Sequence, residues 1–450
     1  MTEIIKKTNL NVIENKNKDT TVRVQGFISN IRKSSKVMFI VLREGYETIQ
    51  CCFFGEKFKK YEEFSKLPLE SYVEIQGVLQ SAKVLQTSIK TREIAVERIE
   101  VLGASSNLPF TLKAASDSIN EESNVKVSYH KCLDTRVLDL RTNHSRSIFK
   151  IVSVLMNSFR TYLIDKDFME IKTSKLLESG SEGGANLFQV EYFKRKAYLA
   201  QSPQLYKQMA IIGGLQRVFE IGHVYRQEES NINRYLSEFV GLDLEMEIES
   251  YEEVIDFIYR LLVHCFDKIN ENKKEIEYIR EYKNFEDLKY SKEPIIYTFE
   301  ECEKLLEENG YKLKEKDFNR EAEKKLGEII KQKRGVDFFV VKDYPSEARP
   351  FYTKKHKDSE NTRSYDFILR GEEILSGAQR ISDYEELKKS AIDKGLDPEK
   401  LSSYLDSFKY GAPPHGGCGI GLERLLKSFF GFHDIRYFNI FPRDPERLNP

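Results

Sequence analysis

From Phe239 to Ile248 the sequence FVGLDLEMEI alternates without a break: Val240, Leu242, Leu244, Met246 and Ile248 take one parity, Gly241, Asp243, Glu245 and Glu247 the other. Side chains of a strand point to opposite faces in turn, so this segment is a strand with one apolar face for a core and one acidic face. Phe239 shares the acidic parity, which sets an aromatic ring and the Asp243 carboxylate on one side. A sheet face simply open to water explains the alternation as well as a binding surface does. Upstream, YRQEESNINRYLSEF ends one strand at Arg226, Gln227 and Glu228 and returns through Glu238 and Phe239, a hairpin with charged lips. Arg226 there can neutralise a phosphate, and Phe239 can stack on a base. Surface ion pairing accounts for the charges but not for Phe239.

The rest of the chain must supply the partners of that strand. With 450 residues it is too long for one core, which predicts two or three domains. Five short strands are expected over Thr21 to Ile28, Val37 to Leu42, Thr48 to Phe53, Tyr72 to Leu79 and Glu93 to Val101. A helix between the third and fourth has Phe54, Phe58 and Tyr61 on one face. That order is the order of an oligonucleotide-binding barrel, although other small barrels also have five strands. From Gly103 to about Lys131 the text turns to Ser, Asn, Asp and Pro, which marks a linker. A helical stripe follows (Ile148, Ile151, Val152, Leu155, Phe159, Tyr162). Strands are then expected around Ala197 to Leu199, Arg217 to Tyr225, Val240 to Ile248, Phe338 to Lys342, Tyr365 to Leu369 and Ile374 to Ile381. Strands with interspersed helices give a mixed α+β domain, and the Lys- and Glu-rich residues 270 to 335 read as a solvated helical insertion. Near the end, Gly416 to Gly421 reads as a glycine-rich turn feeding a helix whose buried stripe is Leu422, Leu425, Leu426 and Phe429. Arg424 lies off that stripe in the first turn, where free backbone N–H groups also favour phosphate. The phosphate-loop pattern GxxxxGKS/T is absent.

Composition excludes more than it identifies. Lys plus Arg (71) and Asp plus Glu (72) nearly cancel, so any attraction to nucleic acid must come from local patches. The N-terminus has no apolar core of signal-peptide length and no segment has the run of apolar residues that a membrane helix needs, which predicts a cytosolic protein without membrane attachment. The six cysteines are scattered without a CxxC pair and read as buried thiols; the seven histidines form no metal-spaced cluster.

Taken together, these residues resemble the aspartyl-tRNA synthetases of the archaeal and eukaryotic type, within class II. YRQEESNINRYLSEF resembles motif 2 and GIGLER motif 3, while SEGGANLF, AQSPQLYKQ, SGAQRI and FPRDPERLNP resemble signatures of the subgroup, all in order across nearly the whole sequence. The resemblance implies an antiparallel-sheet catalytic domain at 141–450, a hinge at 105–140 and an anticodon-binding five-stranded OB-fold β-barrel at 1–104. It implies ATP-dependent activation of L-aspartate to aspartyl-adenylate and transfer to the terminal ribose of tRNA(Asp), with ATP as substrate and Mg2+ as cofactor. By residue, Arg226 and Arg424 match contacts to the α- and γ-phosphates, Phe239 matches the adenine platform, Glu228 is a further ATP contact, and Glu373 and Ser376 match magnesium ligands. Lys207 and Arg380 match the cation pair around the aspartate side chain. Ser202, Gln204 and Asp243 match the residues holding its amino end, and Ser181–Glu182 a loop that closes over it. On the barrel, Phe39 and Gln50 match positions that stack on and hydrogen-bond the central anticodon base, with Arg32 and Glu93 beside them; Phe39 lies in an apolar run and reads equally well as core.

Three positions depart from the family pattern. Ser174 stands where motif 1 carries proline at the dimer interface, so a homodimer is expected from the apolar surroundings and not from that residue. His223 replaces a usual proline, and Tyr235 replaces a histidine of the motif 2 loop. The long basic N-terminal extension of some eukaryotic members is lacking, which predicts weaker and more salt-sensitive tRNA binding. Three other readings compete. An asparaginyl-tRNA synthetase resembles this sequence elsewhere but lacks a lysine at the place of Lys207. A silent synthetase-like RNA-binding protein has no chemical need for Arg226, Glu228, Glu373, Ser376, Arg380 and Arg424 together. An amide-forming synthetase on the same catalytic fold would not need the barrel.

Overall fold

The computed structural model describes residues 5–117, 124, 127–178, 180, 187–228, 230 and 232–449. The expected loop at Ser181 and Glu182 lies outside them. The backbone packs as two compact units, Met1–Ala115 and Ser116–Pro450.

In the first unit β1 (Thr21–Lys33), β2 (Val37–Glu44), β3 (Glu47–Phe54), β4 (Tyr72–Ser81) and β5 (Arg92–Gly103) close a barrel in the order β1-β2-β3-β5-β4. This is the five-stranded barrel expected. The period-two pattern becomes its filling: Val22, Val24, Ile40, Leu42, Ile49, Cys51, Val73, Ile75 and Ile94 are fully buried. Helix α1 (Gly55–Tyr61) adds Phe58 and Tyr61 to that core. Phe54 does not join them. It ends β3 in an extended conformation and is half exposed, because a residue before the first helical turn has no fixed place on the helical face.

The second unit is built on one large sheet. Its strands are β6 (Met169–Glu170), β7 (Arg217–Tyr225), β8 (Glu238–Glu247), β9 (Ile296–Thr298), β10 (Phe338–Lys342), β11 (Ser364–Leu369), β12 (Glu373–Gln379) and β13 (His415–Gly421), paired in the order β9-β10-β11-β12-β13-β8-β7-β6. The six central strands are antiparallel, and both edge strands join parallel. The main helices are α2 (Asn143–Ile164), α3 (Gln204–Ala210), α4 (Tyr251–Asn270), α5 (Phe299–Glu308), α6 (Arg320–Arg334) and α7 (Leu422–Phe430). Helices α2, α4 and α7 share one buried apolar cluster with the apolar parity of β8, through Leu242, Leu244 and Met246. The acidic parity of β8 therefore faces the other side of the sheet. The stretch Ala197 to Leu199 is a strand of a separate three-stranded sheet.

Two expectations need correction. Gly416–Gly421 is not a turn but part of β13, hydrogen-bonded in the middle of the sheet between β12 and β8. Glycine is poor in strands, yet here the space is missing: a Cβ on Gly417 would lie 2.1 Å from the carbonyl oxygen of Leu244 and 2.4 Å from the Glu245 carboxylate. The segment 270–335 is also more than a solvated helical insertion. It contributes the edge strand β9, and α5 and α6 bury Phe299, Cys302, Leu306, Leu326 and Ile330 against Phe339, Val341 and Ile368. Its polar surface masks a core because the apolar residues recur only once per turn.

Candidate active site

A cleft opens over the acidic face of β8, with about 1170 Å³ of empty space including its mouth. That is room for a nucleotide and a small amino acid together. Phe239, Gly241 and Asp243 of β8 line it, so the parity read from the sequence becomes an arrangement of charge. Asp243 and Glu245, far from lying open to water, are buried at 4 % and 0 % exposure.

Burying two carboxylates is costly unless cations meet them. Lys207, on α3, donates to Asp243 Oδ1 at 3.0 Å and to the Cys418 carbonyl at 2.8 Å, and its Nζ lies 3.5 Å from Glu245 Oε2. Arg380, just after β12, grips Glu245 with Nε at 2.8 Å and Nη2 at 3.1 Å. The same Nη2 lies 3.3 Å from Gln204 Oε1 and 2.9 Å from the Gly417 carbonyl. Burial pushes the Asp243 carboxyl up, with Lys207 offsetting part of the rise. Glu245 is equally buried, but Arg380 and Lys207 together hold it below the usual carboxylate range. The two cations expected to flank a substrate carboxylate are thus brought together, but around Glu245. Arg380, Gln204, Ser202 and Asp243 line the cleft; Lys207 lies beneath its wall. The Ser202 hydroxyl accepts the N–H of Gln204 at 3.3 Å.

At the other end of the cleft the cations are less constrained. Arg226 follows β7, its backbone N–H donating to the Ser237 carbonyl across the hairpin, and its guanidinium sits 5.5 Å from the centre of the Phe239 ring. Arg424, in the first turn of α7, donates to the backbone carbonyl of Glu373 at 3.3 Å. Neither forms an ion pair with a carboxylate among the described residues. Glu228 and Tyr235 line the same cleft, and His223 lies outside it on the hairpin stem, 3.2 Å from Glu238. Glu373 starts β12; burial raises its carboxyl and the nearby Asp366 raises it further, against Arg424 and Arg349.

Some lining residues carry no signal in the sequence. Arg349, alone in EARPFY, holds Asp366 with two bonds at 2.9 and 2.6 Å and donates to the Ser376 hydroxyl at 2.9 Å. It also lies 3.8 Å over the Tyr344 ring. No periodicity or spacing points to it. Glu245 is different, since its parity was legible and only its partners were not. Among the described residues no group of three or more His, Cys, Asp or Glu is suited to hold a metal. Glu373 and Ser376 present one carboxylate and one hydroxyl, which fits magnesium when phosphate and water supply the remaining oxygens.

On the barrel the four expected residues form one cluster. Arg32 and Phe39 face each other across β1 and β2, the guanidinium 5.5 Å from the ring centre. Arg32 Nη2 donates to Gln50 Oε1 at 2.7 Å, and Gln50 Nε2 donates to Glu93 Oε2 at 2.8 Å. Phe39 is half-buried between the fully buried Met38 and Ile40, so it sits on the outer face and not in the core.

A barrel with a polar and aromatic cluster on its outer face, and a sheet whose cleft joins arginines without an ion pair among the described residues to a buried charge network, define a nucleotide-using enzyme of the class II synthetase fold. Residues 128–445 match the family model of class II tRNA synthetases (D, K and N), and residues 22–102 match the OB-fold nucleic acid binding domain. A probable cytoplasmic aspartate–tRNA ligase of Encephalitozoon cuniculi (strain GB-M1) is 53% identical over 446 residues, covering 95% of this chain and 94% of that one. The crystal structure of a putative aspartyl-tRNA synthetase from Leishmania major Friedlin matches with a TM-score of 0.94 at 36% identity, covering 100% of this chain and 96% of that one. An asparaginyl-tRNA synthetase from Pyrococcus horikoshii, complexed with asparaginyl-adenylate, matches with a TM-score of 0.85 at 28% identity, over 99% and 100%. The chain belongs to the class II aminoacyl-tRNA synthetases and, within them, to the aspartate–tRNA ligase family.

Proposed function

We propose the following division of labour for ligation of L-aspartate to tRNA(Asp) in the cytoplasm. An oxygen of the aspartate α-carboxylate attacks the α-phosphorus of ATP; the bond to the β-phosphate oxygen breaks and pyrophosphate leaves. A hydroxyl of the terminal ribose of tRNA then attacks the acyl carbon, AMP leaves, and the hydroxyl proton is lost. Neither step needs a covalent enzyme intermediate, so catalysis is positioning and charge stabilisation.

Arg226 stabilises the charge that grows on the α-phosphate, Phe239 stacks under adenine with Glu228 beside it, and Arg424 holds the γ-phosphate. Glu373 and Ser376 hold Mg2+, which supplies charge neutralisation to the phosphates. Ser202, Gln204 and Asp243 take the ammonium group, Ser181 and Glu182 close over it, and Lys207 with Arg380 select the side-chain carboxylate. The observation that carries this reading is the contrast within one cleft between two arginines that form no ion pair among the described residues and a buried cation pair already organised around a carboxylate. Aspartate offers that pair a further charged acceptor, which asparagine lacks.

Arg32, Phe39, Gln50 and Glu93 form the anticodon surface of a barrel domain spanning 1–104, joined by a hinge at 105–140 to the catalytic domain at 141–450. The working form is a homodimer: Ile164, Met169 and Leu176 are about half exposed on either side of Ser174, an apolar edge that a second copy would cover. Light scattering on the purified chain tests this, and a monomer at micromolar concentration rejects it. The activity is tested by aspartate-dependent exchange of pyrophosphate into ATP and by charging of tRNA(Asp). Exchange with asparagine equal to or better than with aspartate rejects the specificity.

A further inference from the structure

A second cavity, with about 580 Å³ of empty space including its mouth, shares Arg234 with the cleft. Five of its lining residues are cations (Arg234, Arg320, Lys324, Arg370 and Lys427) and one, Glu372, is a carboxylate. Glu372 is already fully engaged. It accepts from Lys427 at 2.6 Å, from the Ser428 hydroxyl at 2.7 Å and from Arg234 at 3.1 Å. The next carboxylate, Glu323, lies behind Arg234 at 3.6 Å. Arg320 and Lys324 have no ion-pair partner among the described residues.

The cations are held there at a cost. Arg320 and Lys324 are one turn apart at the start of α6, so like charges face each other at the helix end that disfavours cations. Arg370 has φ +51°, a left-handed conformation unusual for a residue with a side chain. Its Nη2 is tied to the Glu286 carbonyl, while its Nε is buried with no hydrogen-bond partner. The turn that carries it is wedged against α6, where a Cβ on Gly327 would lie 2.7 Å from Gly371 Cα. Independent unfavourable features thus converge on one cavity, and an anion would relieve the charge repulsion among them.

We infer that this cavity is a second anion site and that it takes a diphosphate. The assignment rests on the proposed nucleotide reading of the cleft, whose reaction releases that anion next door. Glu373 faces the cleft and its neighbour Glu372 faces the second cavity, with Arg234 in contact with both spaces. Pyrophosphate leaving the cleft therefore meets cations on its way out. A phosphodiester of RNA, with a single charge and two bulky substituents, offers the five cations less charge than a diphosphate does.

The test is a calorimetric titration of the full chain saturated with β,γ-methylene ATP, using inorganic pyrophosphate as the probe. One pyrophosphate per chain is expected to bind with the analogue in place. The Arg320→Glu/Lys324→Glu double variant should weaken that binding at least tenfold and leave analogue binding unchanged; Lys324→Ala alone, with less risk to the fold, should weaken it severalfold. Absence of pyrophosphate binding beside the analogue overturns the inference, as does inorganic phosphate binding equally tightly. A double variant that loses affinity for tRNA but not for pyrophosphate overturns it too, and gives the surface to RNA. Analogue binding is measured first, so failure of the nucleotide reading appears as a missing first event and failure of this inference as a missing second one.

Discussion

At the end of the cleft assigned to aspartate, Lys207 and Arg380 are locked between Asp243 and Glu245, whereas at the end assigned to ATP, Arg226 and Arg424 form no ion pair with a carboxylate among the described residues. The same residue types serve both ends, and the difference lies in what neutralises them before substrate arrives. A site that must discriminate a carboxylate from an amide needs its cations fixed, because a mobile cation would adapt to either. A site that must attract a polyanion is served by leaving positive charge unsatisfied.

Removing one member of each set should give different failures, and that is the sharpest way to break the comparison. Lys207→Ala leaves Asp243 without its buried cation, so it should cost about 3–5 kcal/mol of stability. Thermal and urea unfolding would measure that loss, and aspartate use should fall far more than ATP binding. An unchanged preference for aspartate over asparagine in that variant would remove Lys207 from its assigned role. Arg226→Ala should instead fold normally while slowing adenylate formation about 10²–10³-fold, roughly 3–4 kcal/mol in the transition state. Exchange kinetics would check it, and a stability loss comparable to that of Lys207→Ala would erase the distinction between the two ends.

On the barrel, Phe39→Ala should weaken tRNA(Asp) binding by about 1–3 kcal/mol and leave aspartate-dependent exchange untouched, since exchange needs no tRNA. The last expected effect concerns pH. Glu423 is buried in α7, where its carboxylate accepts the Val240 N–H next to Phe239, and burial pushes its carboxyl up to about 7. The folded state then holds a proton that the unfolded state has already released, so stability should fall as pH rises from about 4.5 to about 7, by at most about 3 kcal/mol. Glu423→Gln should flatten that slope in pH-dependent unfolding; an unaltered slope assigns the dependence to another group.

How much of this was legible in the sequence depended on the kind of signal. Periodicity gave the barrel strands and the two faces of β8, because burial imposes a repeat on a strand. The Arg226 hairpin was readable because its two strands adjoin in sequence, with Val224 opposite Phe239. The β13 strand was not: His415–Gly421 has no apolar alternation, and its glycines answer to the backbones on either side, which are distant in sequence. Arg349 was invisible for the same reason, since Asp366 and Ser376, which fix it, lie 17 and 27 residues away. The cluster at Arg32, Phe39, Gln50 and Glu93 was suggested by resemblance alone, and the register between strands is what brings it together.

Glu245 has a consequence for the timing of recognition. Its carboxylate lies where it already orders both Lys207 and Arg380, so the loss of side-chain freedom of those two long residues is incurred during folding and not during binding. A diacid that happens upon the site finds no loose cation to gather up, only a fixed frame with its own internal anion. Small anions such as chloride or acetate should therefore compete poorly there, even at cellular concentrations far above that of aspartate, and the enzyme's selectivity would depend little on the ionic composition of its surroundings.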